Sequence, residues 1–337
     1  MSEPRRIRGI SLSAYSYAVP AGIAVVALIV VTMIVDAGAL APANWSATLA
    51  GAAPIMVLAM AQACAVLSGR GGIDLSVGPL AGLVNAIVVV HVVGRGITAP
   101  VVVVGVALAV GLVSGAINGF MIAYLRIPAV VATLGTYLAY LGLTLEVLPT
   151  PGGAAPIWLA RLTGDIGPVP GLLYVLLVIG GAWALLMRTA YRRNLYAVGA
   201  DERSAYTSGI NVAFTRFVAY CITGLIASVG GLVLTGILQS GDPNVSAVFT
   251  LQSIAAVALG GVALSGGRGG LLGAALGALI LFLVQNLLSL ANVGLDVLQI
   301  AYGVMLLLAI ALNSASGIRR RRRKASAQVP VATPIAA

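Results

Sequence analysis

Residues Gly71 to Gly78 place one carboxylate and one hydroxyl among glycines, between two long apolar segments. The residues of this motif that could act are Gly71, Gly72, Asp74, Ser76 and Gly78. A carboxylate at membrane depth is costly unless it caps a helix, pairs with another group or faces water. Because Asp74 follows two glycines and precedes an apolar run, we predict a helix cap whose carboxylate accepts from the amides of Ser76 or Val77. A proton relay is the alternative.

Few other side chains indicate a catalytic or metal-binding role. No second His or Cys is placed to share a metal ion with His91, so we interpret this residue as interfacial and predict no metal site. Cys64 and Cys221 lie inside apolar runs, which favours free core thiols. A P-loop needs a lysine after glycines, and Lys324 lies in the C-terminal tail. The sequence predicts no catalytic residues and no ATPase activity of its own.

The elements that must position Asp74 are apolar helices. The chain has 60% hydrophobic and 8% charged residues, whereas soluble domains have roughly 25% charged residues. A membrane-spanning helix needs about 20 apolar residues. The predicted runs are Val19–Val35, Ala47–Leu67, Leu75–Val93, Ala99–Leu125, Ala129–Leu148, Gly171–Met187, Phe217–Leu238, Leu251–Leu264, Leu271–Leu290 and Val297–Leu312. We therefore predict an all-α polytopic membrane protein with about ten transmembrane helices, the third of them broken near Pro79.

The distribution of charge indicates an orientation. With a cytoplasmic N-terminus and ten crossings, all of the 19 basic residues except Arg95 and Arg161 lie inside, as the positive-inside rule requires. We predict a cytoplasmic N-terminal segment 1–18, a membrane domain 19–313 and a basic, disordered cytoplasmic tail 314–337. The net charge of +10 is explained by anionic lipid of the bilayer and needs no nucleic-acid partner.

Two rows of glycines suggest that the halves of the chain are related. Gly111, Gly115 and Gly119 recur four residues apart in the fourth run, and Gly269, Gly273 and Gly277 do so at the start of the ninth. Such rows let helix backbones approach closely in lipid. Four helices from the second run and four from the seventh would cross the membrane in opposite senses. This layout is typical of inverted-repeat transporters.

The Gly71–Gly78 motif resembles the GGIDLSVG segment of permease subunits in bacterial ATP-binding-cassette (ABC) importers of the ribose, xylose, arabinose and galactose type. The family pattern also matches Ile117–Gly119, Tyr124–Pro128, Thr133–Thr136, Ile254–Val257, Gly260–Gly261 and Gly266–Gly269. The chain departs from it at Pro79, where a small hydroxyl residue is usual, and at Leu141-Gly142, where an Arg-Gly pair is common. The missing arginine weakens any inference about substrate identity.

This resemblance, which covers most of the chain, implies an inverted-repeat type II ABC importer permease in the bacterial inner membrane, with both termini cytoplasmic. It implies two permease copies, a homodimer or a pair of close paralogues. It also implies a cytoplasmic ATPase that binds ATP and Mg²⁺, and a periplasmic sugar-binding protein. The cargo expected is a monosaccharide. The alternatives are a nucleoside or signalling-sugar ABC permease, or a stand-alone secondary transporter, which would need coupling charges in mid-helix.

The loop 188–216 resembles the cytoplasmic coupling segment of the same permeases. Its predicted coupling residues are Gly199, Asp201, Glu202, Ser204 and Gly209. Asp201 to Ser204 suit the start of a short helix and Gly209 suits its end. The resemblance implies that this helix docks on the ATPase; a solvated surface loop is the alternative. Leu264–Arg268 resembles the signature loop of ATP-binding subunits, but we interpret it as a tight glycine-rich turn.

A stripe of polar residues follows one face of the fifth run. It consists of Thr133, Thr136, Tyr137, Tyr140 and Thr144, at helical spacings of three and four. Hydroxyl groups exchange hydrogen bonds with a polyol without a fixed charge, so we predict that the stripe lines the translocation pathway. Interhelical hydrogen bonding is the alternative.

Arg95 and Arg161 are the outward cations of the predicted topology. They are predicted to dock the binding protein through complementary charges. Contact with lipid headgroups is the alternative for both residues.

Overall fold

A computed structural model of the chain describes residues 15–38 and 41–291 and isolated residues between 294 and 311. The predicted tail 314–337, almost all of the predicted segment 1–18 and most of the tenth run, Val297–Leu312, lie outside the described residues. The α-helices are α1 (Val19–Val35), α2 (Trp45–Leu67), α3 (Val77–Ile87), α4 (Pro100–Ala123), α5 (Ala129–Val147), α6 (Ile157–Thr163), α7 (Gly171–Leu186), α8 (Ala190–Ala200), α9 (Glu202–Thr207), α10 (Val212–Leu238), α11 (Val248–Leu259) and α12 (Leu271–Leu290). Strands β1 (Asp165–Ile166) and β2 (Val169–Pro170) form one small antiparallel hairpin.

Helices form at the first nine predicted apolar runs, which confirms a mainly helical membrane protein. In the described part of the chain, six helices are long and apolar enough to cross a membrane, or seven if α7 and α8 count as one span bent by 88°. The 12 residues of α11 reach only about 18 Å, whereas the hydrocarbon core is about 30 Å thick. Length and composition therefore identify six or seven spans among the described residues, and the prediction of about ten is not confirmed.

The break in the third run lies earlier than predicted. Pro79 occupies the first turn of α3, where a helix needs no amide donor, so it does not interrupt the helix. The chain leaves α2 at Ser68 and turns through Gly69 and Gly71, which both have positive φ. We call residues 68–76, between α2 and α3, the helix break. After α3 the backbone continues as a π turn, Val88–Val92, and a 3₁₀ turn, Val93–Arg95.

Two helix triplets pack against each other in a reciprocal way. Helix α10 contacts α2, α3 and α4, and α2 contacts α10, α11 and α12. At the crossing of α4 and α10, a Cβ on Gly111 would overlap the Gly224 carbonyl. A Cβ on Gly277 of α12 would overlap the Ala256 carbonyl of α11 in the same way. Both glycine rows therefore bring helix backbones together, and this confirms their predicted role in packing.

The helix ends and loops form two faces. What we call the arginine-rich face consists of residues 68–76, 124–128, 187–211 and 260–270. It carries Arg70, Arg126, Arg188, Arg192, Arg193, Arg203 and Arg268, with Arg216 in the adjoining first turns of α10. The opposite face consists of residues 42–46, 93–99, 148–170 and 239–247, and it carries Arg95 and Arg161. A hydrogen bond of 2.9 Å from Trp158 Nε1 to the Thr98 carbonyl joins two loops of the opposite face.

Candidate functional site

The carboxylate of Asp74 lies inside the protein, 3% exposed, between α2 and α3. The amide and hydroxyl of Ser76 donate to its Oδ1 at 2.8 and 2.7 Å. Asn118 Nδ2 of α4 donates to Ser76 Oγ at 2.9 Å and to Asp74 Oδ2 at 3.5 Å. The N-cap of α3 is Ser76 itself. Asp74 thus holds the residue that begins the helix, and both of its carboxyl oxygens accept hydrogen bonds.

The backbone of the helix break is held by side chains from three other helices. In the orientation that satisfies both groups, the Gln62 amide of α2 donates to the Asp74 carbonyl at 2.8 Å and accepts from the Asp74 amide at 3.1 Å. Thr133 Oγ1 of α5 accepts from the Leu75 amide at 3.1 Å, and Thr250 Oγ1 of α11 donates to the Leu75 carbonyl at 3.1 Å. Backbone outside a helix needs such partners when it is buried.

The glycines of the motif are required by space and by backbone conformation. A Cβ on Gly72 would lie 2.5 Å from the Ala65 carbonyl, and one on Gly78 would lie 2.5 Å from Thr250 Oγ1. Gly71 adopts the left-handed conformation with φ of 66°, which a side chain disfavours. The motif therefore allows α3 to start directly against α2 and α11.

The hydroxyl stripe of α5 divides between two environments. Thr133 and Thr136 join the cluster around Asp74, where Thr136 Oγ1 donates to Asn118 Oδ1 at 2.9 Å. Thr144 Oγ1 donates to the Tyr140 carbonyl at 2.7 Å; both residues are buried, and Tyr137 is half-buried. Interhelical hydrogen bonding is thus observed for Thr136, and the pathway role of the stripe stays a prediction.

Three polar residues that the sequence did not single out as site residues complete the cluster: Gln62, Asn118 and Thr250. Gln62 and Asn118 are each at most 1% exposed. The available signal was their position inside apolar runs, since polar side chains at membrane depth are retained for hydrogen bonds or function.

The coupling residues lie together on the arginine-rich face. Asp201 caps α9 by accepting from the amides of Arg203 and Ser204 at 3.0 and 3.1 Å. The bonds from Ser204, and then from the Arg203 amide, hold the pKa of Asp201 below its ordinary value. Gly209 follows the helix with φ of 79°. The predicted short helix is confirmed, whereas its docking on an ATPase stays a prediction.

Two further contacts tie this segment to the membrane helices. Glu202 forms ion pairs with Arg70 of the helix break at 3.5 Å and with Arg216 of α10 at 3.3 Å. Gly199, at the end of α8, lies against Gly69 and Gly267 so closely that a Cβ on it would lie 2.5 Å from the Gly267 amide. The turn between α11 and α12 therefore meets the coupling segment and the end of α2 at one point. The interpretation of Leu264–Arg268 as a glycine-rich turn is confirmed.

The proposed docking arginines lie on the opposite face. Arg161 is exposed on α6, and Arg95 is exposed at the end of the 3₁₀ turn. A hydrogen bond from Trp158 joins α6 to the Thr98 carbonyl, three residues after Arg95. Their docking role stays a prediction. Among the described residues, no group of three or more His, Cys, Asp and Glu side chains is placed to hold a metal ion.

Residues 44–311 match the family described as branched-chain amino acid transport system / permease component. The chain belongs to this family. The curated relatives include the ribose import permease protein RbsC of Escherichia coli, 35% identical over 77% of this chain and 81% of that protein. The Bacillus subtilis RbsC is 32% identical over 85% and 89%. The xylose transport system permease protein XylH of Escherichia coli is 29% identical over 85% and 88%. No solved structure matches the chain significantly.

Proposed function

We propose that the chain is the membrane-spanning permease subunit of an ABC importer that takes up a monosaccharide. This proposal rests on one observation. The chain is similar, over most of its length, to permeases named for ribose and xylose. The family description names branched-chain amino acids, so these are the second candidate cargo. The sugar is favoured because several relatives of 29–35% identity carry sugar names.

A permease of this kind works with a separate ATPase and a binding protein. The arginine-rich face suits the ATPase for two reasons. Helix α9 lies on this face with an exposed Tyr206. The ion pairs of Glu202 connect α9 to the membrane helices. The ATPase would bind the ATP and Mg²⁺. A second copy of the permease would complete the pathway, as the resemblance implies.

The distribution of arginines supports an orientation of the protein in the membrane. The described arginines gather at the face that holds the coupling segment, and Arg95 and Arg161 lie opposite. This distribution favours a cytoplasmic arginine-rich face and cytoplasmic termini in the bacterial inner membrane. The reciprocal packing of α2–α4 and α10–α12 supports an inverted repeat. About ten membrane-embedded helices result if α1, the bent α7, α11 and the run Val297–Leu312 are added to the six long helices.

The test is uptake by the reconstituted transporter. The chain is purified with its ATPase, placed in proteoliposomes with ATP on the ATPase side, and supplied with the binding protein on the other side. We expect accumulation of labelled ribose or xylose that requires both ATP and the binding protein. Accumulation of leucine instead would support the amino-acid cargo. Uptake driven by an ion gradient without the ATPase would show a secondary transporter and overturn the proposal.

A further inference from the structure

A cavity of 280 Å³ opens on the arginine-rich face, below the helix break. It lies between Gly71 and Gly72 on one side and the first residues of α5 on the other. Arg70, Arg126 and Arg216 line it, and Tyr220 lies at its wall. No acidic residue is among the lining residues. Three guanidinium groups line the cavity and one carboxylate, that of Glu202, pairs with two of them, which leaves a net positive charge.

Two buried polar groups at this cavity have no partner. Arg216 is 4% exposed and Tyr220 is fully buried. Neither Arg216 Nε nor the Tyr220 hydroxyl has a hydrogen-bond partner. Buried donors are almost always satisfied, so an orphaned pair at the wall of one cavity indicates a missing acceptor.

The N-terminus of α5 adds further donors. Pro128 is the N-cap, no side chain caps the helix, and the first turn has no acidic residue. The first amides of a helix have no partner within it, and the helix dipole is positive at this end. Ala129 and Val130 of this turn also line the cavity. Helix N-termini of this kind bind anions.

The three arginines differ in backbone conformation and in ion pairing. Arg70 and Arg126 adopt left-handed conformations, with φ of 56° and 60°, which are unfavourable for residues with a Cβ. Glu202 reaches Arg70 and Arg216 from the adjoining groove. Arg126 forms no ion pair within the described part of the chain. The cavity thus keeps at least one guanidinium free for a ligand.

We propose that this cavity binds a phosphate group. Guanidinium groups, helix amides and a tyrosine hydroxyl are all donors, and a tetrahedral phosphate anion offers acceptors to each of them. The phosphate comes either from a free phosphate or phosphomonoester or from the headgroup of an anionic lipid. Because Arg70 and Arg216 also bind Glu202, a bound phosphate competes with Glu202 and weakens the tie between α9 and the helix break. The proposed phosphate site does not depend on which solute the protein transports.

The test measures the melting temperature of the full chain in dodecyl maltoside, a detergent that contains no phosphate. Inorganic phosphate is titrated against potassium chloride at equal ionic strength. We expect a saturable rise with phosphate. Arg126→Gln should raise the apparent Kd for phosphate at least tenfold. Arg193→Gln removes an exposed charge from the same face outside the cavity, and it should leave the Kd unchanged.

A second arm separates the sources of phosphate. Nanodiscs that contain phosphatidylglycerol are compared with pure phosphatidylcholine, without added phosphate. A stabilisation that Arg126→Gln removes and Arg193→Gln keeps assigns the site to a lipid headgroup. If Arg126→Gln does not fold, Tyr220→Phe, which removes only the orphaned hydroxyl, serves in its place. The proposal is wrong if neither phosphate nor phosphatidylglycerol stabilises the protein, or if the folded variants keep the full effect.

Discussion

At the scale of single residues, the main finding is a buried carboxylate without a cation. Asp74 forms no ion pair among the described residues, and Ser76 and Asn118 supply its hydrogen bonds. A buried polar group is tolerated when such bonds replace its hydration. Since every donor comes from a side chain or amide that also fixes α3, the geometry favours the structural role over a proton relay.

Replacing Asp74 separates these two roles. Asp74→Asn keeps an oxygen that accepts from the Ser76 amide, so we expect a folded protein with most of its uptake. Asp74→Ala leaves the Ser76 amide and the Asn118 amide without that acceptor, which costs about 1–3 kcal/mol. The measurements are melting temperature in detergent and solute uptake at several pH values. Equal, pH-dependent loss of uptake in both variants, with normal expression, would instead support the relay.

The sequence predicted the local part of this site and missed the distant part. The hydrogen bond from the Ser76 amide to Asp74 spans two residues, so local spacing was enough to find it. The partners of the break are Gln62, Asn118, Thr133 and Thr250, and the last of these lies 175 residues from Leu75. Helical packing decides which of many polar residues reaches Asp74, and periodicity within one helix carries no information about that.

At the scale of elements, the junction of two glycine-containing turns with the end of α8 connects the coupling segment to the membrane helices. The Gly267 amide donates to the Leu67 carbonyl at 3.2 Å, and Gly199 lies against both groups. The Tyr196 hydroxyl donates to the Gly269 carbonyl at 2.6 Å. A displacement of α8 and α9 therefore acts directly on the end of α2 and on the turn before α12.

Gly199→Ala tests this junction. The added methyl group would displace the Gly267 amide from the Leu67 carbonyl, and overpacking of this kind costs about 1–3 kcal/mol. We expect a lower melting temperature and ATP hydrolysis that no longer responds to the binding protein. Gly180→Ala is the matched control, because a Cβ there meets no atom within 4 Å. Normal stimulated hydrolysis in Gly199→Ala would exclude the junction from coupling.

The apolar runs of the sequence located the helices well but did not show which helices are long enough to span a membrane. Val19–Val35 and Leu271–Leu290 coincide with α1 and α12. The eighth run was predicted at Leu251–Leu264, whereas α11 ends at Leu259 because the glycines after it turn the chain. Hydropathy sums apolar residues whether or not they are helical, so it cannot separate a short packed helix from a spanning one.

At the scale of the whole molecule, the two faces differ in charge as well as in structure. The arginine-rich face holds the coupling segment and the proposed phosphate cavity. The opposite face carries Arg161 on α6, which is joined to the loop before α4 by Trp158. This face carries Asp165 and Asp242 as well as Arg95 and Arg161, and docking of a binding protein on the arginines stays a prediction.

Reversing the charge of Arg161 tests that surface. Charges at the rim of an interface act mainly on the rate of encounter. Arg161→Glu should lower ATP hydrolysis stimulated by the binding protein about fivefold at low salt, with the difference shrinking as salt is added. Hydrolysis without the binding protein should stay unchanged, and Arg161→Lys should behave like the parent. A response that is the same across a salt series would remove Arg161 from the docking surface.

The distant hydrogen-bond partners of the helix break also determine when, during synthesis of the chain, the break can be completed. Asn118, Thr133 and Thr250 all follow Asp74 in the chain, so none of them has been synthesised when the Gly71–Gly78 motif leaves the ribosome. Until α4, α5 and α11 arrive, the polar groups of the motif need water, because the hydrocarbon core offers them no partner. The hydrogen bonds of the helix break are therefore completed only after α11, which carries Thr250, has been inserted.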